Sequence, residues 1–235
     1  LTEMPTGTVG VKAHLGLVRA RIRAAEERFE REPDSVALLA VSKKQDTAKI
    51  RAAFSAGQTT FGESYPQEAM KKMEQLEDLQ VRWHFIGRIQ SNKTRQIAEC
   101  FDWVHSLCNL KHARRLSEQR PAKLPPLAAC IQVNLDAEPN KAGVSPAQVA
   151  DFIAVCDELP GLDPVGLMTL PAPALNEQAR RRPFRELRLL RDRLATPRLP
   201  LKVLSMGMSA DLEAAIAEGA TIVRVGTAIF GPRED

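Results

Sequence analysis

Short runs of apolar and β-branched residues recur along the chain, most of them followed by a stretch with helical spacing. An amphipathic helix is predicted over residues 9–30, ahead of the first run. The spacing predicts strands at 36–42, 59–61, 82–86, 103–106, 128–134, 165–169, 202–206 and 221–225. Helices are expected after the first seven, around 47–56, 67–76, 91–99, 110–119, 147–158, 178–194 and 211–218. A repeated βα alternation calls for a parallel sheet with its helices outside. Eight such units predict an α/β fold, a (β/α)8 TIM barrel, with the N-terminal helix covering the place left after strand eight.

The rival arrangement is an open doubly wound sheet. The chain has no G-x-G-x-x-G after its first strand and no G-x-x-x-x-G-K-[ST], so the nucleotide signatures of that fold are missing. Proline-rich joints at 121–126, 160–173 and 197–200 read as loops between βα units, because no change of composition marks a boundary there. The expectation is one domain spanning residues 1–235. A chain of 235 residues with 44% apolar and 26% charged positions can build a core without staples.

Charge and cysteine usage narrow the possible partners. Lys and Arg exceed Asp and Glu by 33 − 29 = 4, but the charges are dispersed and aromatic residues make up only 5%. Base-stacking material is scarce, so nucleic acid is not an expected partner. No apolar run reaches the length of a membrane helix, and Leu1-Thr2-Glu3-Met4-Pro5 lacks the layout of a signal peptide. Cys100, Cys108, Cys130 and Cys156 form no C-x-x-C and read as reduced, mostly buried thiols of a cytoplasmic protein.

Chemistry in such a barrel gathers where strands end. Strand one runs from apolar Val41 through Ser42 into Lys43. An amine there is partly desolvated, which disfavours the ammonium form and suits attack on a carbonyl. Lys44 adds like charge, with its side chain expected on the other face. A solvated lysine at a strand end is the plainer alternative.

A second feature follows strand seven, in Ser205-Met206-Gly207-Met208-Ser209. Gly207 allows close backbone approach, Ser209 is placed to cap the helix opening at Asp211, and free amides there favour an anion. Strand eight ends in Val225-Gly226-Thr227, adding another amide and a hydroxyl. Loops after strands seven and eight are common phosphate sites in barrels, although two ordinary loops and a capped helix would look the same.

Arg224, on the face of strand eight shared with Ile222 and Gly226, must end in a polar cluster or on a ligand. His84 is read either as a hydrogen-bonded core histidine or as a ligand contact. No H-E-x-x-H, no metal-ligand spacing among the four histidines and no G-x-S-x-G are present. An imine-forming lysine, a phosphate cradle and an arginine together suggest pyridoxal 5′-phosphate, whose aldehyde, phosphate and ring nitrogen ask for those three elements.

Leu38-Leu39-Ala40-Val41-Ser42-Lys43, Phe61-Gly62-Glu63-Ser64-Tyr65 and the run from Trp83 to Lys93 resemble the pyridoxal phosphate homeostasis proteins, the YggS/PROSC family. So do Gly166-Leu167-Met168-Thr169, the run from Ser205 to Asp211, and the run from Val223 to Gly231. The resemblance implies a barrel like that of bacterial alanine racemase, with pyridoxal 5′-phosphate as an aldimine on Lys43. It also implies phosphate contacts from Met206, Gly207, Ser209, Gly226 and Thr227, Arg224 facing the pyridine nitrogen, and Ser64 and His84 near the cofactor.

Family members are regarded as cofactor carriers or buffers that affect vitamin B6 and amino-acid balance, without an established reaction. The chain departs from the family pattern at Ser64, where an asparagine is usual. It departs again at Lys44-Gln45-Asp46, where Thr-Lys-Pro is usual. Both changes bear on cofactor affinity.

Two enzymatic alternatives use the same residues. A pyridoxal-phosphate racemase needs a second acid/base opposite Lys43, and the single tyrosine, Tyr65, is the candidate. A Schiff-base aldolase would use Lys43 and the phosphate loops without a cofactor. The expectation is a monomeric carrier without catalytic residues, meeting apo-enzymes transiently.

Overall fold

Eight parallel strands close on one another in chain order, and the eighth pairs with the first. They are β1 (Ala37–Val41), β2 (Thr60–Glu63), β3 (Arg82–Phe85) and β4 (Trp103–Leu107), then β5 (Leu127–Gln132), β6 (Leu162–Met168), β7 (Val203–Ser205) and β8 (Ile222–Val225). The structure is a computed structural model and describes residues 6–136, 142–174 and 176–232. The reading of Leu1–Pro5 as unlike a signal peptide lies outside the described residues. No described helix is long and apolar enough to cross a membrane.

Around the barrel run α2 (Thr47–Ser55), α3 (Pro66–Gln75), α4 (Thr94–Cys100), α5 (Leu110–Gln119), α6 (Val149–Asp157), α7 (Glu177–Leu194) and α8 (Leu212–Ala217). α1 (Thr6–Arg28) packs on α2, α8 and α9 (Thr227–Phe230), closing the layer beside β8 as expected. Its buried residues Val11, Leu15, Val18, Ile22 and Ala25 alternate at spacings of four and three, one apolar stripe of a helix. Each Val, Leu or Ile of that stripe contributes roughly 1.5–3 kcal/mol through burial.

The strands are buried on both faces, as parallel strands under helices must be. Phe61, Phe85, Val104, Ile131, Leu204 and Val223 are all fully buried. The structure extends two of the expected strands by more than one residue. β6 begins at Leu162 and contains Pro164, which sits where the register against β5 shifts between Ala129 and Cys130. A bulge is the place where a strand tolerates a residue without an amide proton. β2 runs on to Glu63, a carboxylate at the end of a buried strand. The four cysteines are free thiols, Cys130 and Cys156 buried and the other two half-buried.

Candidate functional site

Residues from five strand ends meet at the carboxyl-terminal mouth of the barrel. A cavity of about 190 Å³ lies there, lined by Val41, Lys43, Ile86, Met168, Leu170, Met208, Ser209, Arg224, Gly226 and Thr227. The structure thus brings together five of the sequence-predicted residues: Lys43, Ser209, Arg224, Gly226 and Thr227. Val41 ends β1 facing the cavity, Ser42 after it is buried, and Lys43 reaches the cavity from the turn that follows, closed by the Gln45 amide donating to Ser42 O at 3.0 Å. A neighbouring cleft of about 390 Å³ shares Ile86 and Leu170 and continues toward Arg88 and His112. A larger hollow of about 760 Å³ is lined only by Asn176 to Leu189, the start of α7, and gathers no groups from different strands.

The loop from Gly207 to Asp211 is held from three sides. Gly207 has φ +94°, and a Cβ there would lie 2.6 Å from Ala215 Cβ, so only glycine fits. Its carbonyl accepts the Arg224 amide at 2.9 Å. Arg21 of α1 donates to Ser209 O at 3.1 Å and to both Glu213 carboxylate oxygens at 2.9 and 3.0 Å.

One sequence expectation is corrected here. Ser209 does not cap α8, which starts after Asp211. The Asp211 carboxylate turns back to accept the Met208 amide at 2.6 Å, which folds the loop and leaves Ser209 on the cavity wall. Across the cavity, a Cβ on Gly226 would stand 3.1 Å from Val41 O, so the end of β8 comes close to that of β1.

Arg224 is 5% exposed and does end in a polar cluster. Its Nη1 donates to Ser205 Oγ at 2.6 Å and its Nη2 to Thr169 O at 3.0 Å. Ser205 Oγ is 2.7 Å from His105 Nδ1, and His105 Nε2 is 2.9 Å from His84 Nδ1. β4 and β7 are not neighbours in the sheet, so the contact between His105 and Ser205 crosses the barrel interior.

Arginine only donates, so Ser205 Oγ accepts from Arg224 and keeps its own proton and a second lone pair for His105 Nδ1. One proton joins His105 Nε2 to His84 Nδ1, and His84 Nε2 is buried without a partner. Burial holds His84 down to about 3 and His105 well below the usual histidine range, so both are neutral. Burial also lowers Arg224, to about 10, which leaves it charged at neutral pH.

Ser64, His84, Met206 and Gly207 do not line the cavity. His84 belongs to the relay and stacks on Trp103 at 5.1 Å. Met206 is fully buried, and the Ser64 backbone packs against Gly87, where a Cβ would overlap Ser64 O. Tyr65 is 53% exposed at the start of α3 and is absent from the lining.

Sequence reasoning missed His105, Ser205 and Thr169, which hold Arg224. For His105 and Ser205 the signal was a polar side chain inside a buried strand, which demands a partner, whereas Thr169 acts through its backbone carbonyl and carries no such signal. It also missed Ile86, Met168 and Leu170, the apolar wall opposite the phosphate-type loops. Together the donors, an amine and a fixed guanidinium suit an anionic ligand that carries a carbonyl and a ring acceptor.

The alanine racemase N-terminal domain model matches residues 14–234. A pyridoxal phosphate homeostasis protein of Pseudomonas aeruginosa is 51% identical over 224 residues, covering 95% of this chain and 96% of that one. Its namesake in Escherichia coli K12 is 45% identical, with 94% and 96% covered. Among solved structures, PipY of Synechococcus elongatus with PLP bound superposes with a TM-score of 0.83 at 37% identity, covering 94% of this chain and 100% of that one. Alanine racemase of Corynebacterium glutamicum shares the fold, with a TM-score of 0.64 at 18% identity over 61% of its longer chain.

Proposed function

The chain belongs to the family of the pyridoxal phosphate homeostasis proteins, and on that premise we propose that it binds pyridoxal 5′-phosphate reversibly, as a carrier or buffer. The observation that carries this reading is the single cavity that joins Lys43 to Ser209, Thr227 and Arg224. The PLP-bound form of PipY, more than a third identical and matched along its whole length, supports it. When bound, the cofactor supplies an aldehyde that condenses reversibly with a primary amine and a ring that can draw electrons from it.

In this reading Lys43 presents its Nζ to that aldehyde. Ser209, Thr227 and the Gly226 backbone hold the phosphate. Arg224 lies against the ring nitrogen and, being a charged donor held by Ser205 and Thr169, opposes its protonation. That choice weakens the ring as an electron sink, which favours storage over catalysis.

Racemisation needs a second acid/base across the ligand from Lys43. Tyr65, the residue the sequence offered for that task, is half-exposed outside the cavity. We assign the chain one barrel domain, a monomeric state, a cytoplasmic location and transient encounters with apo-enzymes.

The test is a two-part assay on protein loaded with pyridoxal phosphate. Mixed with an apo-enzyme that depends on this cofactor, it should restore that enzyme's activity. Incubated with alanine or other amino acids alone, it should give no sustained racemisation or transamination. Steady turnover that disappears in Lys43→Ala would overturn the carrier reading.

A further inference from the structure

On the outer side of the barrel wall, behind the Lys43 loop, lies a second buried polar cluster. Lys72 of α3 places its Nζ 2.7 Å from Ser42 O, 2.9 Å from Glu63 Oε1 and 2.6 Å from Glu68 Oε1. An ammonium has three protons, and each has an acceptor here. Glu63 Oε1 also accepts the Ser42 hydroxyl at 2.6 Å, and Glu68 Oε1 accepts the Lys44 amide at 2.6 Å. The Lys72 side chain is 8% exposed and that of Glu63 is fully buried.

What this cluster grips is the backbone on both sides of Lys43. Ser42 is held at its carbonyl and its hydroxyl, and Lys44 at its amide. Lys44 has φ +58°, a conformation that a side-chain-bearing residue keeps only when its surroundings impose it. The same α3 turn supplies both Glu68 and Lys72, at i and i+4, so one rigid element sets both anchor points. None of Glu63, Glu68 and Lys72 lines the cavity.

We propose that Lys72, with Glu63 and Glu68, is a positioning clamp that fixes the direction of the Lys43 amine toward the ligand's carbonyl carbon. The inference rests on the reading of Lys43 as the amine that meets pyridoxal phosphate. The step it serves is a condensation: Lys43 Nζ forms a C=N bond to the aldehyde carbon, and the carbonyl oxygen leaves as water with both amine protons. Condensation needs the amine within a narrow range of angle and distance, whereas phosphate binding at Ser209 and Thr227 does not. A clamp on the Lys43 backbone therefore controls the covalent part of binding and spares the rest.

Two ligands separate those parts. Pyridoxal 5′-phosphate can condense; pyridoxine 5′-phosphate carries an alcohol in place of the aldehyde and cannot. Dissociation constants for both are measured with the wild type, Lys72→Met, Glu68→Ala and Lys43→Ala, alongside thermal unfolding and the absorbance of the condensed form. The clamp variants should lose about tenfold in affinity for pyridoxal phosphate and most of the condensed-form absorbance, while pyridoxine phosphate binding changes less than about twofold. Equal losses for the two ligands, or no loss in either, would overturn the clamp.

Glu68 is partly exposed, so Glu68→Ala decides the matter if Lys72→Met does not fold. Failure of the underlying reading is distinct: Lys43→Ala would then bind both ligands as the wild type does.

Discussion

The molecule holds two buried polar clusters on opposite faces of one barrel wall, and they are built differently. The inner relay of His84, His105, Ser205 and Arg224 contains a single charge, with neutral groups passing hydrogen bonds away from it. The outer cluster of Ser42, Glu63, Lys72 and Glu68 balances a cation against two carboxylates. Each leaves one buried atom without a partner, His84 Nε2 inside and Glu63 Oε2 outside. The inner one presents its cation to the cavity with no carboxylate hydrogen-bonded to it, Asp211 acting on it only through space. The outer one stays off the cavity and can set its cation directly against carboxylates. A single charge facing a ligand sets chemistry, while a closed ion cluster sets geometry.

The largest expected effect breaks the outer cluster. Lys72→Met strands the buried Glu63 carboxylate and should lower stability by about 3–5 kcal/mol in urea denaturation. Adding Glu63→Gln removes that charge and should restore most of the loss. No recovery in the double variant would show that the packing of the Lys72 stem, and not the ion cluster, carries the stability.

Removing the inner charge comes next. Arg224→Met leaves Ser205 Oγ and Thr169 O without their donor and should cost roughly 2–3 kcal/mol in the same experiment. It strands no opposite charge, so a second substitution of the kind that rescues Lys72→Met has no counterpart here.

The cavity itself can be separated from both clusters. Ser209→Ala and Thr227→Ala should each weaken pyridoxal phosphate binding by about 1.5–3 kcal/mol, the worth of a hydrogen bond to a charged group. Pyridoxal, which lacks the phosphate, should be affected far less. Equal losses for both ligands would mean that these hydroxyls act through the fold.

A slope with pH needs no ligand and no disrupted cluster. The unfolded chain protonates a histidine near the ordinary 6.5, while buried His84 resists down to about 3. The unfolded state therefore binds more protons between those values, so stability is full above about 6.5 and falls as pH drops through the window. His84→Asn offers a side-chain amide in place of Nδ1 to pair with His105 and removes one titrating group. The melting temperature of that variant should depend less steeply on pH between 6.5 and 3.

How far each cluster could be read from the sequence follows from its chain separations. All eight strands and their order were visible, because apolar runs alternating with helical spacing are a local signal. Lys43, Ser209, Gly226 and Thr227 were visible because strand ends in a barrel converge on one mouth. The short helix α9 was missed, since four residues carry too few turns for a periodicity.

The relay was hidden for a different reason. His105 meets Ser205 across 100 residues, and nothing local announces that pairing. The outer cluster was masked by an ordinary pattern: Glu68 and Lys72 at i and i+4 look like a solvated surface pair. Ending β2 at Phe61 concealed the clue. Carried on to Glu63, the strand places a carboxylate on its helix-facing side, where a cation has to meet it.

The central claim is that this cavity holds pyridoxal phosphate with Lys43 as the amine at its aldehyde, and reductive trapping addresses it most directly. The protein is incubated with pyridoxal 5′-phosphate, reduced with borohydride, digested and mapped by mass spectrometry. The expected result is one dominant pyridoxyl adduct on Lys43, absent from Lys43→Ala, which should still bind the ligand more weakly through its phosphate contacts. A reproducible adduct on another lysine, or none at saturating ligand, would contradict the assignment.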